Sequence, residues 1–214
     1  MKTAIILAGG KSSRLGKDKA LLNLRGKPLI IYVINVALEV VDKVIVVVKD
    51  KEEVYKNLLP KNITIVKDIF NIQSPLVGML TGMKMASTDY SLVLPCDSPF
   101  INTDLLKHLF KCANGFDAAI PKWPSGYIEP LHSVYKVNTI IPLIEDALKK
   151  EELKISKVIS KLKNVIYVPI EELKKYDSKL LSFFNINKLE DLKAAEIIFN
   201  PFIASFPIKK TKNK

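Results

Sequence analysis

The chain has 214 residues, of which 48% are hydrophobic and 26% are charged. This length supports one sizeable hydrophobic core, and this composition is ordinary for a soluble globular protein. No apolar run approaches the roughly 18 residues that span a bilayer, and the apolar segment at the N-terminus is too short for a signal peptide. The sequence therefore predicts a cytoplasmic protein without a membrane partner.

The formal net charge of +11 at pH 7 suggests a nucleic-acid partner at first sight. However, only Arg14 and Arg25 are arginines, and lysines supply the rest of the positive charge. Proteins that recognise nucleic acids favour arginine for phosphates and base edges. We therefore interpret the lysines as a solvated surface whose field attracts small anions, and we expect no nucleic-acid partner.

The two cysteines, Cys96 and Cys112, show no metal-ligand spacing and are too few for a disulfide framework. We interpret both as small buried hydrophobic residues in a reducing compartment. His108 and His132 are too few and too far apart in sequence to predict a transition-metal site. We interpret His132 as an edge-strand residue and Trp123 as a loop anchor.

The first element is a short apolar, partly β-branched run, Thr3 to Leu7, which predicts a buried strand. It leads into Gly9 and Gly10, where the missing Cβ atoms allow backbone N–H groups to turn towards an anion. Arg14 can offer a planar fork to phosphate oxygens, and Lys19 a compact charge. The run matches neither a Walker loop nor a dinucleotide fingerprint, so it predicts a different phosphate-binding loop. The alternative is a glycine turn with solvated lysines.

Helical and extended patterns alternate along the rest of the chain. The predicted strands after the first one cover residues 44–48, 63–66, 91–94, 116–120, 131–135 and 165–168. The predicted helices cover residues 28–39, 52–59, 74–85, 139–149, 155–162 and 189–198, with another helix after residue 102. This alternation is typical of a parallel sheet with crossover helices, to which 131–135 is an edge or antiparallel addition. We predict an α/β fold, a single-domain Rossmann-like three-layer αβα sandwich with a mostly parallel sheet, over residues 1–205, and a basic flexible tail at 206–214.

Two acidic residues, Asp68 and Asp97, directly follow predicted strands. In open α/β sheets, ligands bind beyond the carboxyl ends of the strands, so both residues should line one crevice with the glycine loop. A carboxylate beside a phosphate-binding loop suits Mg²⁺. The alternatives are that Asp97 caps a helix or turn and that Asp68 only starts a turn.

Residues 7–19 resemble the signature L-A-G-G-x-S-x-R-M/L-G-x-D-K of nucleotidyltransferases that load a nucleoside triphosphate onto a phosphorylated small molecule. Residues 95–100, P-C-D-S-P-F, resemble the P-C-D-T/S-P-F motif of that superfamily, whose Asp holds the metal. Residues 74–78 resemble its G-P-L-x-G segment, with Ser74 at the first glycine. Within the superfamily, the chain is most similar to the molybdenum cofactor guanylyltransferases.

Two later segments extend the resemblance. Residues 126–135 resemble G-x-x-Q-P-L-x-x-x-Y, with Glu129 in place of Gln, and residues 184–187 match F-N-I-N. Asn185 and Asn187, two residues apart on a strand, would face one side and could hydrogen-bond a polar heterocycle. The alternative is that these asparagines only shape a turn and cap.

The resemblance implies that GMP is transferred from GTP to the terminal phosphate of molybdopterin, with Mg²⁺ as cofactor and pyrophosphate as product. It implies catalytic roles for Arg14, Lys19 and Asp97, with Asp97 also holding the metal. It assigns Asn185, Asn187 and Glu129 to the acceptor. The residues that it assigns to GTP are Leu7, Ala8, Gly9, Gly10, Arg14, Lys19, Asp68 and Asp97.

Two other functions stay open on the sequence. The same machinery could use another base or acceptor, as a molybdopterin cytidylyltransferase does, or as a guanylyltransferase for a different cofactor precursor does. A non-catalytic basic protein that binds nucleic acid is the alternative from a different class. The oligomeric state cannot be predicted from the sequence.

Overall fold

The structure is a computed structural model that describes residues 1–8, 18–68 and 74–199. Its strands are β1 (Thr3–Leu7), β2 (Asn23–Leu24), β3 (Lys27–Pro28), β4 (Lys43–Val48), β5 (Thr64–Lys67), β6 (Tyr90–Pro95), β7 (Ala118–Lys122), β8 (Ser133–Lys136) and β9 (Val165–Pro169). Its α-helices are α1 (Leu29–Leu38), α2 (Glu52–Leu58), α3 (Pro75–Lys84), α4 (Thr103–Ala113), α5 (Val137–Lys149), α6 (Ile155–Ile159), α7 (Ile170–Leu173) and α8 (Leu189–Phe199). Among these described residues, no helix is both long and apolar enough to cross a membrane.

Within the described ranges, a seven-stranded sheet has the order β5-β4-β1-β6-β8-β7-β9. Four of its six strand pairs are parallel, and only the two pairs made by β8 are antiparallel. The mostly parallel sheet and the antiparallel segment near residues 131–135 are therefore confirmed. The edge position is wrong for that segment, because β8 lies between β6 and β7 inside the sheet.

The helices cover both faces of the sheet, which confirms the predicted three-layer sandwich. One buried cluster joins the sheet to α1, α2, α4 and α7, and a second joins it to α3, α5 and α6. A smaller third cluster packs α8 against the β2–β3 hairpin. The β-branched run of β4 is buried from Val44 to Val48, as expected for a strand covered on both sides.

The register of the central strands places several strand ends at one edge of the sheet. Leu7 at the end of β1 lies opposite Val47 of β4 and Pro95 of β6. The segments that follow these three strands therefore leave the sheet at the same level. This alignment creates the crevice in which ligands of parallel α/β sheets bind.

The structure adds a β2–β3 hairpin that the sequence patterns do not predict. Arg25 and Gly26 both have positive φ angles, 51° and 82°, as a two-residue type I′ turn requires. The Asn23 side chain accepts a hydrogen bond of 2.7 Å from the Gly26 N–H. Strands of two residues are too short to show a period of two. Pro28 consequently ends β3 and precedes α1 instead of lying in its first turn.

Gly82 lets helix α3 lie close to the sheet below the crevice. A Cβ atom at Gly82 would overlap the Ile5 side chain and lie 3.1 Å from Val47 Cγ2. At Gly78, a Cβ would meet only the tip of the Leu7 side chain, at 3.1 Å. The close approach of α3 to β1 and β4 thus depends on the absence of a side chain at Gly82.

Gly82→Ala is expected to lower the free energy of unfolding by about 2 kcal/mol, because overpacking outweighs the gain in helix propensity. Urea unfolding followed by circular dichroism measures this change. Gly78→Ala is the matched control and should cost less, because the flexible end of Leu7 can move. If Gly82→Ala is as stable as the unmodified protein, the close packing of α3 against β1 and β4 does not depend on Gly82.

Candidate active site

A cavity of about 350 Å³ lies at the carboxyl ends of the parallel strands. Leu7, Val47 and Pro95 line its base, and they are the residues that the strand register aligns. Most of the remaining lining is also apolar or small, and four charged side chains reach the cavity, namely Lys19, Lys49, Asp68 and Asp97. Asp68 and Asp97 therefore share one crevice with Lys19, as predicted, while residues 9–17 of the predicted loop lie outside the described residues.

The centre of the site is a contact between Lys19 and Asp97. Lys19 Nζ lies 3.1 Å from Asp97 Oδ2 and 2.6 Å from Asn187 Oδ1. Asp97 is only 8% exposed, and this burial raises the pKa of its carboxyl, while the nearby Lys19 ammonium opposes the increase. The two oxygens thus hold a cationic group at the cavity, between the buried Asp97 and the exposed Asn187.

Asp18 fixes the short turn from which the Lys19 side chain enters the site. Asp18 Oδ1 accepts a hydrogen bond of 3.2 Å from the Ala20 N–H and so caps the short 3₁₀ helix Lys19–Leu21. Its other oxygen, Oδ2, accepts a bond of 2.9 Å from the buried Tyr55 hydroxyl. Burial and the adjacent Asp18 carboxylate raise the pKa of Tyr55, so the hydroxyl stays a donor. The sequence did not indicate a role for Tyr55, since its partner lies far away along the chain.

The segment with Asn185 and Asn187 is fastened to the loop after β6. Ile186 N–H donates a hydrogen bond of 2.9 Å to the Asp97 carbonyl, and the Ser98 hydroxyl donates to Asn185 Oδ1. Both predicted asparagines therefore lie at the Asp97 site. Their predicted strand is wrong, because no regular structure covers 184–188. The reason is that the Asn187 N–H is used to cap α8 by donating to Asp191 Oδ2, at 2.8 Å.

His132 contacts Ser98, which holds this segment. It is 2% exposed, and burial lowers the pKa of its imidazole to about 4, so the ring is neutral at pH 7. Its Nε2 lies 3.2 Å from Ser98 Oγ. The Ser98 hydroxyl therefore contacts both the buried imidazole and the Asn185 amide. A chain of hydrogen bonds thus runs from His132 through Ser98 to Asn185, and His132 is not the edge-strand residue that the sequence predicted.

Glu129 lies beside this network and does not line the cavity. Its Oε1 accepts a hydrogen bond of 2.7 Å from Trp123 Nε1, and burial raises the pKa of its carboxyl. Trp123 also packs against Phe183, with ring centroids 6.0 Å apart, as a loop anchor does. The role of Glu129 towards the acceptor stays a prediction.

The remaining residues that the resemblance assigns to GTP are partly outside the described structure. Gly9, Gly10 and Arg14 fall within 9–17, outside the described residues. Ala8 is buried, and its N–H continues the strand pairing by donating to the Val47 carbonyl at 2.8 Å. Asp68 lines the cavity and accepts a bond of 3.2 Å from the Thr81 hydroxyl.

The structure also adds residues that sequence reasoning left without a role. Lys49 follows β4 directly and lines the cavity as a second described cation. Cys96 lines the cavity as well and is buried, which confirms its predicted burial, whereas the same prediction is wrong for Cys112, which is only partly buried. The position of Lys49 at a strand end was the one sequence signal that could have identified it.

Comparison with known proteins places this site in a family. A family model described as a MobA-like NTP transferase domain matches residues 4–165. Proteins named "Probable molybdenum cofactor guanylyltransferase" from Methanosarcina mazei and Pyrococcus furiosus are each 34% identical to the chain. These matches cover 90% and 94% of this chain and 88% and 100% of the relatives, respectively.

Solved structures give the same result for the fold. The molybdopterin-guanine dinucleotide biosynthesis protein A from Archaeoglobus fulgidus has a TM-score of 0.80 and 32% identity, over 94% of this chain and 100% of that chain. A 4-diphosphocytidyl-2C-methyl-D-erythritol synthase from Anaerococcus prevotii has a TM-score of 0.69 at 16% identity, covering 92% and 95%, and shares the fold alone. With its strand-end cavity and its matching motifs, the chain belongs to the MobA-like NTP transferase family and is a nucleotidyltransferase.

Proposed function

We propose that this protein transfers GMP from GTP to the terminal phosphate of molybdopterin and releases pyrophosphate, in molybdenum cofactor biosynthesis. The observation that carries the proposal is the cation position between Asp97 and Asn187, at the strand-end cavity of a nucleotidyltransferase. The printed names of the relatives supply the base and the cofactor.

The donor set at Asp97 fits Mg²⁺. A carboxylate oxygen of Asp97 and an amide oxygen of Asn187 both lie within 3.1 Å of the Lys19 ammonium, so these two oxygens already converge on one cation. Mg²⁺ prefers oxygen ligands and is usually held by one or two carboxylates together with substrate phosphates. Asp97 would hold the ion, which when bound supplies charge neutralisation for the triphosphate.

The reaction requires positioning and charge compensation more than proton transfer. A phosphate oxygen of the acceptor forms a bond to the α-phosphorus of GTP, and the bond from that phosphorus to the oxygen bridging the β-phosphorus breaks. Pyrophosphate leaves with the bonding electrons. Because the attacking phosphate is already an anion, no general base is needed. Lys19 contributes its positive charge to the leaving pyrophosphate, as does Arg14 by family resemblance.

The remaining described residues divide between the two substrates. Asp68 lines the same cavity as Asp97 and is assigned to the base or ribose of GTP. Asn185 and Asn187 contact Ser98 and Lys19, respectively, and are assigned to the acceptor. The hydrogen bonds from His132 through Ser98 hold the Asn185 amide in one orientation, which favours a preorganised site.

The protein is expected to prefer GTP over CTP by at least about 100-fold in kcat/KM. Guanine presents N–H donors where cytosine presents the opposite pattern, so a site built for guanine leaves buried groups unpaired with cytosine. The measurement is pyrophosphate release with molybdopterin and Mg²⁺, comparing GTP, CTP, ATP and UTP.

Reactions without molybdopterin and with an Asp97→Asn variant are the controls for background hydrolysis. A preference for CTP would overturn the guanylyl assignment and keep the reaction class. If none of the four nucleotides is transferred to molybdopterin, the assignment of molybdopterin as the acceptor is wrong.

A further inference from the structure

A cluster of nitrogen, sulfur and oxygen donors lies outside the cavity, on the face of the sheet covered by α4 and α7. His108 Nε2 is 2.7 Å from Glu172 Oε1 and 3.3 Å from Cys112 Sγ. One ligand atom from each residue lies within 4.8 Å of the others. None of the three residues lines the cavity at Asp97.

Local structure explains why these side chains converge. His108 and Cys112 are four residues apart on α4, so they project from the same side of the helix. Glu172 lies on the short helix α7, between the buried residues Ile170 and Leu173, which fix that helix against the core. The core contacts of α4 and α7 therefore hold the three donors next to one another at the surface.

Tyr176 sets the orientation of the histidine. Its hydroxyl lies 3.1 Å from His108 Nδ1, and its ring stacks on the imidazole with centroids 4.8 Å apart. This contact leaves Nε2 directed towards Cys112 and Glu172. A hydroxyl that holds the far nitrogen of an imidazole is the kind of outer contact found around histidine ligands of metals.

We propose that His108, Cys112 and Glu172 bind a divalent transition-metal ion of the Zn²⁺ type, with solvent as the fourth ligand. Tetrahedral Zn²⁺ ligands of these types lie about 3.3–3.6 Å apart. The His108–Cys112 distance of 3.3 Å already has this value, and the His108–Glu172 distance of 2.7 Å must lengthen on binding. The Glu172 side chain is 40% exposed and can make the remaining adjustment. Mg²⁺ is excluded from this site by its need for oxygen ligands.

Metal binding also changes the protonation of the cluster. Burial and the adjacent Glu172 raise the pKa of Cys112, so the thiol carries its proton in the metal-free protein. The metal–sulfur bond forms with the thiolate, and the thiol proton goes to solvent. The imidazole binds through Nε2, so the Nε2 proton that faces Glu172 Oε1 in the metal-free protein is given up to solvent and Nδ1 takes up a proton in exchange. Nδ1 then donates a hydrogen bond to the Tyr176 oxygen.

Cobalt(II) is a spectroscopic probe that tests the site directly. The full-length protein in excess Mg²⁺, which occupies oxygen-ligand sites, is expected to bind one Co²⁺ per chain. Binding should produce a thiolate-to-cobalt charge-transfer absorption that Zn²⁺ abolishes by displacement. Cys112→Ser should remove this absorption and weaken binding at least about tenfold, and Tyr176→Phe should weaken it by about tenfold with the absorption retained.

Cys96→Ser is the matched control, because Cys96 is the other thiol and lines the Asp97 cavity. It should keep the absorption. Glu172→Gln, at an exposed position, repeats the affinity test if Cys112→Ser does not fold, as judged by circular dichroism. Nucleotidyl transfer by Cys112→Ser should be unchanged. Absence of the absorption in the unmodified protein, its persistence in Cys112→Ser, or its loss in Cys96→Ser would overturn the proposal.

Discussion

Asp97→Asn is expected to lower kcat/KM for nucleotidyl transfer by at least about 10³-fold, because a metal-binding carboxylate supplies several kcal/mol of charge stabilisation. Asparagine keeps the shape of the side chain but not its charge. The Asp97 carbonyl, which accepts the Ile186 N–H, is unaffected by the change. Steady-state assays with GTP, molybdopterin and Mg²⁺ measure the effect.

The same substitution is not expected to destabilise the fold. Burial raises the pKa of Asp97 above its ordinary value. A carboxyl whose pKa is higher in the folded than in the unfolded protein costs stability above that pKa, and the cost disappears as the pH falls through it. Asparagine removes this cost at pH 7, and Lys19 keeps its bond to Asn187. The melting temperature should therefore be equal to or higher than that of the unmodified protein.

The combination of these two results distinguishes the roles of Asp97. Lost activity with retained stability assigns Asp97 to the chemistry. A large drop in melting temperature would instead make it a structural residue that caps the turn after β6. Near-normal activity would remove it from the reaction.

Lys19→Ala is expected to lower kcat/KM by about 10²–10³-fold, because it removes one preorganised positive charge that stabilises the leaving pyrophosphate. Affinity should fall more for GTP than for GMP, since Lys19 is assigned to the phosphates that GMP lacks. Isothermal titration with both nucleotides measures the difference. Lys107→Ala, at an exposed lysine of α4, removes the same charge far from the cavity and is the control.

Lys19→Ala should also change the pH dependence of activity. The Lys19 ammonium lowers the pKa of Asp97 against the effect of burial. Without it, the pKa of the carboxyl rises further, so ionised Asp97 is lost at a higher pH on the acid side. The acid limb of the kcat/KM profile should therefore move to higher pH in Lys19→Ala and stay in place in Lys107→Ala. Equal affinity losses for GTP and GMP, with an unmoved acid limb, would contradict the assignment.

The sequence by itself determined the fold class and the positions of the strand ends. The β-branched run of β4 and the short apolar run of β1 depend only on neighbouring residues, so their patterns predict buried strands directly. Because parallel strands end at one edge of the sheet, the order of elements also predicts that Asp68 and Asp97 lie together. Motif resemblance added the family, which the comparisons confirm.

The tertiary structure decided which distant side chains meet. Asn187 contacts Lys19 across 168 residues, and Ser98 contacts Asn185 across 87, in a segment whose backbone bonds serve a helix cap and not a strand. His132 is buried because β8 enters the middle of the sheet, which a local pattern of alternation cannot distinguish from an edge. Such contacts follow from how whole elements pack, and local periodicity contains no information on that packing.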